Sequence, residues 1–364
     1  GTYVAELAGV VRPVSMPAGD PAATPALQQL AAHHLPAPPP DAPRAFRVGV
    51  PAFDLFPFET WARLSARFWR KPSPARLGYG DPAGEASLRE LIAAYLRSSR
   101  GLHCDPAQIV ITCGAQQGIS LCAQLLVHPG ERVAVEDPGY RAAGEAFALA
   151  GAQLQGIAVD GEGLDTQALE RLGDCRLVYV TPAHQYPTGV TLSLARRLQL
   201  LEWAERNDRW IVEDDYDGEY RYSGAPLAPL AALDRSGRVI YVGTFGKIAF
   251  PALRLGYLVL PRAIADDFVH AAALATRAGQ GIEQRALADF IRRGHYITHL
   301  RHMRARYNSR QAALRTALQQ AFGPDVALSG GEAGLHLVMW LPDQVRDVTV
   351  AQRAAALGLG VRAL

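Results

Sequence analysis

The stretch that decides the fold is Tyr241-Val-Gly-Thr-Phe-Gly-Lys247-Ile-Ala-Phe-Pro-Ala-Leu-Arg254-Leu-Gly256. It supplies an amine, Lys247, and a guanidinium, Arg254, at a fixed separation. A lysine whose surroundings lower its pKa can form a Schiff base with an aldehyde, and the planar fork of an arginine suits phosphate oxygens. Pyridoxal 5'-phosphate carries both an aldehyde and a phosphate. Taken alone, however, Lys247 is more simply interpreted as a solvated lysine at a strand end. Other segments of the sequence are needed to distinguish this interpretation from a Schiff-base lysine.

An apolar run that breaks into carboxylates, Trp210-Ile-Val-Glu-Asp214-Asp215-Tyr216-Asp217, lies about thirty residues upstream. This pattern is typical of the carboxyl end of a buried parallel strand, where ligands of open α/β sheets collect. A carboxylate there can pair with a protonated pyridine nitrogen, and a nearby tyrosine can bond the phenolic oxygen of the ring. Glu213 and Asp217 are interpreted instead as part of an acidic, solvated loop.

Farther upstream, Gln108-Ile-Val-Ile-Thr-Cys-Gly114-Ala-Gln-Gln-Gly118 predicts a strand, a glycine turn and a helix that runs through Leu125. The free amides at a helix start favour a phosphate dianion. A glycine between strand and helix is also ordinary turn punctuation. The sequence contains neither GxGxxG nor GxxxxGK[ST], so this turn is not a nucleotide loop.

These segments together resemble a fold-type I, aspartate-aminotransferase-like domain, and specifically the effector domain of bacterial MocR-type regulators of the GntR superfamily. The resemblance covers nearly all of the chain. Each segment is modest, and their order and spacing carry the resemblance. The segments are Leu77-Gly-Tyr-Gly-Asp-Pro-Ala-Gly84 with Leu88-Arg89, Gly114-Ala-Gln-Gln117, Glu136-Asp-Pro-Gly-Tyr140, Thr181-Pro-Ala-His-Gln-Tyr-Pro-Thr-Gly189, Glu213-Asp-Asp-Tyr216 and Gly243-Thr-Phe-Gly-Lys247 through Arg254.

The resemblance implies roles for individual residues around pyridoxal 5'-phosphate. Lys247 would hold the cofactor as an internal aldimine, Asp214 would pair with the pyridine nitrogen and Tyr216 would bond the phenolic oxygen. Tyr140 would stack on the ring. The phosphate would be held by the amides of Ala115 and Gln116, by Thr244 and Arg254, and by Tyr79 from a second subunit. The last contact implies a homodimer, and no metal site is expected.

Two positions depart from the pattern of working aminotransferases. Tyr186 stands immediately before Pro187-Thr-Gly189, where those enzymes usually carry asparagine. Its loss argues against efficient transamination while leaving cofactor binding intact, and His184 is a candidate to compensate. Gly246 precedes Lys247 where many relatives have serine, which removes one hydroxyl from the phosphate site and about 1 kcal/mol of binding.

The chain is expected to divide into three parts. Residues 1–45 are interpreted as the end of a winged helix, from Gly1-Thr-Tyr-Val-Ala5, and a proline-rich linker. Residues 46–262 are the expected large cofactor-binding domain, with a mostly parallel sheet flanked by helices. Residues 263–364 are the expected interdomain helix and a smaller α+β domain. The family resemblance implies that this last domain continues beyond Leu364, with its carboxylate-binding arginine there, so Arg362 is not assigned that role.

The composition fits a globular chain of this kind. The chain has 364 residues, of which 49% are hydrophobic, and a net charge of only +2, which gives no electrostatic footprint for nucleic acid. DNA contact is therefore expected only through a winged helix. The four cysteines form no CxxC pair and are expected to be reduced. No signal segment or membrane span is visible, so a cytoplasmic protein is expected.

The β-rich runs at 132–135, 177–180, 210–212, 239–242 and 255–260 alternate with helical patterns, which predicts a mostly parallel sheet. A helix from Leu192 to Asn207 with a cap at Ser193 is predicted, and a long helical stretch from about Ala263 to Phe322. Residues 330–340 alternate like a strand. The basic cluster from Arg301 to Arg306 is interpreted as a solvated helix face.

Two functions from different classes remain open. The first is a binding module, the effector domain of a transcriptional regulator, which responds to an amine, an amino acid or pyridoxal 5'-phosphate by Schiff-base exchange at Lys247. The second is a working aminotransferase, in which the freed Lys247 moves the α-proton of an amino acid or amine. The segment from Gly1 to Ala5 and Tyr186 favour the first, so regulation is expected rather than turnover.

Overall fold

The computed structural model describes residues 45–71, 74–224 and 227–364, without the side chains of residues 75 and 76. The predicted winged-helix end and nearly all of the predicted linker lie outside these residues. In the described part, the helices are α1 (Phe58–Arg70), α2 (Pro74–Leu77), α3 (Ala86–Arg100), α4 (Ala115–Leu126), α5 (Arg141–Leu149), α6 (Thr166–Leu172), α7 (Leu194–Asn207), α8 (Leu230–Leu233), α9 (Ala265–Thr276), α10 (Gly281–Arg292), α11 (His295–Phe322) and α12 (Asp347–Ala356).

The strands are β1 (Ile109–Thr112), β2 (Arg132–Asp137), β3 (Gln153–Asp160), β4 (Gly163–Leu164), β5 (Leu177–Val180), β6 (Trp210–Asp215), β7 (Val239–Thr244), β8 (Gly256–Val259), β9 (Leu328–Ser329) and β10 (Val338–Met339). Among the described residues, the first eight form one sheet in the order β1-β8-β7-β6-β5-β2-β3-β4. The neighbours from β7 to β3 are parallel, and β8 runs antiparallel to both β1 and β7. The prediction of a mostly parallel sheet is therefore confirmed.

The sheet is buried on both faces because helices cover it. Every residue of β1, β5, β6 and β8 is buried, as expected for strands that read as continuous apolar runs. Helices α4, α5 and α9 contribute side chains to one core cluster against the sheet, and α6 and α7 contribute to another. A third cluster joins α1, α3, α10 and α11 to the strands β1 and β8. The expected helix–sheet–helix layering is present.

Capping residues in the sequence correctly predicted where some of the helices begin. The side chain of Ser193 accepts a hydrogen bond from the Arg196 amide and caps α7, as predicted. Gly114 precedes α4 with φ 76°, a conformation that favours glycine. All four cysteines are free thiols, and Cys104, Cys122 and Cys175 are buried. Among the described helices, none combines the length and apolar character needed to span a membrane.

Two element predictions for the C-terminal part are corrected. The expected single helical stretch from 263 to 322 is three helices, because Arg277 and Gly279 adopt positive φ between α9 and α10, and Gly294 does so between α10 and α11. The expected strand at 330–340 is reduced to β10, which pairs with β9. Gly330 and Gly334 both have positive φ, so the segment between the two short strands turns instead of extending.

Candidate functional site

The predicted site residues converge at the carboxyl ends of β6 and β7. These strands are parallel neighbours, with Asp214 opposite Val242, so the residues that follow each strand meet at one edge of the sheet. Asp214 lies near the end of β6, Thr244 ends β7 and Lys247 follows three residues later. The topology therefore explains how residues thirty positions apart in sequence reach one site.

Lys247 is partly buried, and among the described residues its amine has one hydrogen-bond acceptor. Its Nζ donates a hydrogen bond of 2.7 Å to the carbonyl of Gly49. Burial lowers the pKa of the Lys247 amine, and the nearby carboxylates of Asp217 and Asp214 oppose this shift. A lowered pKa increases the fraction of neutral amine, which is the form that attacks a carbonyl carbon. Sequence reasoning did not identify Gly49, because a backbone acceptor leaves no side-chain signal.

Asp214 offers one unpaired carboxylate oxygen inside the protein. Its Oδ2 accepts a hydrogen bond of 2.6 Å from the Tyr179 hydroxyl, whereas its buried Oδ1 has no partner among the described residues. Burial raises the pKa of Asp214 to about 7. A buried acceptor without a donor costs stability unless a ligand supplies one. A protonated ring nitrogen is such a donor, and the orphan oxygen fits the expected cofactor.

A second part of the site is an anion cradle between α4 and the loop after β7. The first amides of α4, at Ala115 and Gln116, have no acceptor within the helix and favour negative charge. A Cβ added to Gly114 would lie 3.5 Å from Cζ of Arg254, and one added to Gly256 would lie 2.9 Å from the Ala115 amide nitrogen. Arg254 also donates to the Cys113 carbonyl at 3.0 Å, so its guanidinium lies beside the helix start, as the predicted phosphate site requires.

Thr244, Gln116 and Tyr79 are the other residues predicted to contact the phosphate. The Thr244 hydroxyl accepts a hydrogen bond of 3.1 Å from the Gly246 amide, which orients it within the loop before Lys247. The Gln116 side chain donates to the Ala142 carbonyl at 2.9 Å. Tyr79 is 88% exposed, with the Arg277 guanidinium 6.0 Å from its ring centroid. Its predicted contact with a second subunit stays a prediction.

Aromatic rings line the open side of the site. The ring centroids of Tyr140 and Tyr186 lie 5.6 Å apart, and those of Tyr186 and Tyr216 lie 6.1 Å apart, both nearly edge to face. Arg362 donates to the Tyr186 hydroxyl at 3.3 Å. Tyr186, which replaces the asparagine of working aminotransferases, is therefore held within a cluster of aromatic side chains.

Behind these rings lies a group of buried polar side chains that we call the clasp: His184, Asp217 and His336. His184 Nδ1 lies 3.2 Å from the Tyr216 hydroxyl and 3.1 Å from Asp217 Oδ2. The same Asp217 oxygen accepts a hydrogen bond from the Leu335 amide at 3.0 Å. His336 Nε2 lies 2.9 Å from the Pro187 carbonyl, and its ring centroid is 4.4 Å from that of His184. The clasp joins the cofactor side to residues 335 and 336.

The clasp overturns one interpretation made from the sequence. Glu213 and Asp217 are not solvated, because each is only 1% exposed. The carboxylate of Glu213 accepts hydrogen bonds from the amides of Leu230 and Ala231 at the start of α8, and Asp217 is held in the clasp. Acidic residues at a strand end resemble a solvated loop in sequence, and only long-range partners distinguish the two.

The clasp also contains atoms suited to metal ligation, although no metal site was predicted. One ligand atom from each member lies within 4.8 Å of the others. The described contacts already engage Nδ1 of His184, one oxygen of Asp217 and Nε2 of His336 with protein groups. Burial lowers the pKa of His336 to about 4, so this ring is neutral and uncharged at physiological pH. Through these contacts the group links three separate segments of the chain, while Nε2 of His184 and Oδ1 of Asp217 are buried without a partner among the described residues.

Glu136 is a further residue that sequence reasoning missed. It is buried, and its Oε2 accepts hydrogen bonds from the Thr181 hydroxyl at 2.6 Å and from the Gln185 side chain at 3.2 Å. Burial raises its pKa to about 7. Glu136 therefore fixes the loop that carries His184 and Tyr186. Its position in a segment already quoted, Glu136-Asp-Pro-Gly-Tyr140, was the available signal.

Comparison with known proteins adds three findings. The profile of the family Aminotransferase class I and II matches residues 45–357. The chain is 39% identical over 317 residues to the probable rhizopine catabolism regulatory protein MocR of Rhizobium meliloti, covering 87% of this chain and 64% of that protein. It is 35% identical to the HTH-type pyridoxine biosynthesis transcriptional regulator PdxR of Corynebacterium glutamicum, covering 81% and 64%. The chain thus spans just under two thirds of the length of these regulators.

A solved structure gives the same result for the fold. The kynurenine aminotransferase of Pyrococcus horikoshii, solved in complex with PMP, superposes with a TM-score of 0.80 at 30% identity. The match covers 93% of this chain and 84% of that enzyme. The fold-type I assignment made from the sequence is confirmed.

Proposed function

Because the chain belongs to the aminotransferase class I and II family and matches MocR-type regulators over more than four fifths of its length, we propose that it is the effector-sensing part of a transcriptional regulator. It responds to an amine, an amino acid or pyridoxal 5'-phosphate at Lys247. The observation that carries the proposal is Tyr186, held among aromatic rings where a working aminotransferase usually has asparagine.

Pyridoxal 5'-phosphate is the cofactor, and the residues present fit it. When bound, it supplies an aldehyde that condenses with amines and a ring that withdraws electrons. Asp214 Oδ1 is the buried acceptor left for the ring nitrogen. Arg254 and the amides that open α4 would hold the phosphate, and Tyr140 would cover the ring. Burial raises the pKa of Tyr216 well above its ordinary value, so its hydroxyl remains a donor for the phenolic oxygen.

Lys247 is the residue that registers an incoming amine. If an incoming amine took the place of Lys247 at the cofactor, the lysine side chain would be released. In the described structure the free amine is accommodated by the Gly49 carbonyl, 2.7 Å away, in the segment that precedes α1. Exchange at Lys247 therefore makes or breaks the hydrogen bond between Lys247 and the Gly49 carbonyl. This bond is one route by which the site is connected to the segment before α1.

The clasp supplies a second route from the cofactor to the rest of the chain. Tyr216 contacts His184, His184 contacts Asp217, and Asp217 binds the Leu335 amide. A shift of the Tyr216 hydroxyl changes the first of these contacts. The segment around Leu335, which also binds the Tyr222 hydroxyl through the Gly334 carbonyl at 2.6 Å, then has to adjust. Two arrangements of this segment would give a sensor its two states.

Other parts of the proposal follow from the relatives. We propose that DNA contact occurs through a winged-helix domain, and the name of PdxR, which describes that protein as an HTH-type transcriptional regulator, supports a role on DNA. We also propose a homodimer in which Tyr79 of one subunit reaches the phosphate of the other, since this exposed ring lies in the segment Leu77–Gly84. A cytoplasmic location follows from a role on DNA.

The runner-up function is a working aminotransferase. Asp214, Tyr216 and Lys247 are all present, and the solved structure with a TM-score of 0.80 is a kynurenine aminotransferase. In that case the freed Lys247 acts as the base that moves the α-proton. Tyr186 is the specific feature that argues against efficient turnover.

The experiment that tests the proposal compares the loaded wild type with Tyr186→Asn. Amines, L-amino acids and D-amino acids are added, and absorption is followed together with release of keto product. A sensor gives a spectral change that persists without stoichiometric keto product, and Tyr186→Asn increases product release. Stoichiometric product from the wild type, with full conversion of the cofactor to its amine form, would establish the aminotransferase instead.

A further inference from the structure

A cavity adjoins the clasp, because Ala183 and Gly218 in its wall are chain neighbours of His184 and Asp217. Its volume is about 390 Å³, and its wall comes from the end of α3, the segment that follows β6, the first half of α11 and residue 333. Four arginines and one buried carboxyl group line it: Arg100, Arg221, Arg301, Arg304 and Glu219. We call it the arginine cavity. None of the residues assigned to cofactor binding lines it.

The guanidinium groups of this cavity are only partly neutralised. Arg100 forms an ion pair with the buried Asp215, and Arg221 lies 3.7 Å from a carboxylate oxygen of Glu332. Arg304 donates to the Glu219 backbone carbonyl, at 3.1 and 2.7 Å. Because a carbonyl is uncharged, this contact does not neutralise the positive charge of Arg304. Arg301 is exposed at the rim. The cavity therefore carries excess positive charge, which favours an anion.

Unused hydrogen-bonding capacity supports the same conclusion. Nε of Arg100 and Nε of Arg221 are buried and have no partner among the described residues. The side chain of Arg100 is only 8% exposed. Buried donors without acceptors are uncommon in folded proteins, and an anion that reorients either guanidinium would satisfy them. Glu219 faces these groups, and burial raises its pKa to about 7, so it is partly neutral at physiological pH.

Apart from Ser99, the rest of the lining is apolar or aromatic. Leu227, Ile297 and Leu300 contribute aliphatic surface, and Tyr95 contributes a ring. A cavity of this size holds a molecule larger than an inorganic anion, and pockets for small organic molecules combine such surface with a few polar groups. The lining thus suits an anion with an apolar body.

At three places, a residue that lines the arginine cavity is the chain neighbour of a residue at the clasp. Ala183, Gly218 and Ala333 line the arginine cavity, and their neighbours His184, Asp217 and Gly334 lie at the clasp. In β6, Asp214 is directed to the cofactor and the next residue, Asp215, binds Arg100. A molecule in the cavity therefore contacts residues whose chain neighbours hold His184 against Tyr216.

We propose that the arginine cavity is a second ligand site, which binds a small organic anion, a carboxylate or a phosphate monoester with an apolar body, and that its occupancy changes the environment of the cofactor. The binding itself is independent of the sensing role proposed above. A regulator or an aminotransferase could carry the site equally.

The test uses the wild-type chain with its cofactor site already loaded, so that added phosphate esters do not compete there. Benzoate and phenyl phosphate are titrated by calorimetry, with benzyl alcohol as the uncharged analogue and inorganic phosphate as the anion without an apolar body. The charge-reversal variant is Arg301→Glu, and its matched control is Arg306→Glu, an exposed arginine of the same helix outside the cavity. Ile297→Trp fills the cavity from its exposed rim.

We expect benzoate, phenyl phosphate or both to bind at least tenfold more tightly than benzyl alcohol and inorganic phosphate. Arg301→Glu and Ile297→Trp should each weaken binding at least tenfold, a loss of about 1.4 kcal/mol, with Arg306→Glu within about twofold of the wild type. Tighter binding of benzoate would identify a carboxylate as the preferred ligand group, and tighter binding of phenyl phosphate would identify a phosphate monoester. Absence of binding below about 10 mM, or equal loss in Arg301→Glu and Arg306→Glu, would overturn the site. Binding that leaves the cofactor absorption unchanged would overturn its link to the cofactor.

Discussion

The two lysines of this chain, Lys71 and Lys247, have opposite environments. Lys71 is exposed, whereas Lys247 is partly buried and binds the Gly49 carbonyl. Only Lys247 lies at the carboxyl end of a buried parallel strand. This contrast makes the covalent assignment unusually simple to test.

Lys247→Ala should abolish the borohydride-reducible link between pyridoxal 5'-phosphate and the polypeptide, because the amine is removed. Lys71→Ala should retain it, since Lys71 is exposed and lies away from the strand end that carries the site. The measurement is the mass of the reduced protein and of its peptides. A reduced adduct that persists in Lys247→Ala would contradict the assignment.

Asp214→Asn should weaken cofactor binding by about 10- to 100-fold, because the charged partner of the ring nitrogen is lost. Asp343→Asn removes the same charge at an exposed position and should have little effect. Fluorescence titration of the cofactor-free chain measures both. An unchanged affinity in Asp214→Asn would show that another group pairs with the ring.

At the scale of elements, the segment between β9 and β10 connects the clasp to the C-terminal part. It turns at Gly334, which has φ 74°. A Cβ added there would lie 2.0 Å from Nδ1 of His184, so the glycine is required by both backbone and packing.

Gly334→Ala should lower the free energy of unfolding by about 3 kcal/mol, from the strained φ and the collision with His184. Gly358→Ala is a matched control, with φ 79° and no atom within 4 Å of the added Cβ. It should cost only about 1 kcal/mol. Urea denaturation gives both values, and equal losses would mean that the contact with His184 has no effect.

Elements with strong local signals were predicted, and those fixed by tertiary contacts were not. The strand at Leu177–Val180 and the cap at Ser193 were placed correctly, because apolar runs and capping residues act over a few positions. The breaks at Arg277 and Gly294 were missed, since helical composition continues through both. The burial of Asp217 was missed for a related reason, because its partners His184 and Leu335 are distant in sequence.

At the scale of the whole molecule, buried carboxyl groups accumulate near the carboxyl ends of the parallel strands β2 and β6. Burial raises the pKa of Glu136, Glu213, Asp214 and Glu219 to about 7 in each case. Their ordinary values are 4.5 for glutamate and 3.8 for aspartate. At pH values between these ordinary pKa values and about 7, the folded chain binds more protons than the unfolded chain.

The cofactor-free chain should therefore be stabilised by these groups at low pH and lose that contribution as the pH rises through about 7. Asp214→Asn should show a smaller decrease in the free energy of unfolding between about pH 5 and pH 8 than the wild type, because one such group is absent. Urea denaturation across this range measures the difference between the two slopes. A steeper decrease in the variant would contradict the raised pKa of Asp214.

The order of the strands also has a consequence for synthesis on the ribosome. Among the described strands, the edge strand β1 pairs only with β8, so Thr112 finds its partner Gly256 after some 140 further residues have been added. Until then, α4 emerges tethered to a strand without a neighbour, and the cradle that α4 forms with Arg254 does not exist. The nascent chain thus acquires affinity for its cofactor late, and a ribosome halted before Arg254 displays a polypeptide that cannot retain it.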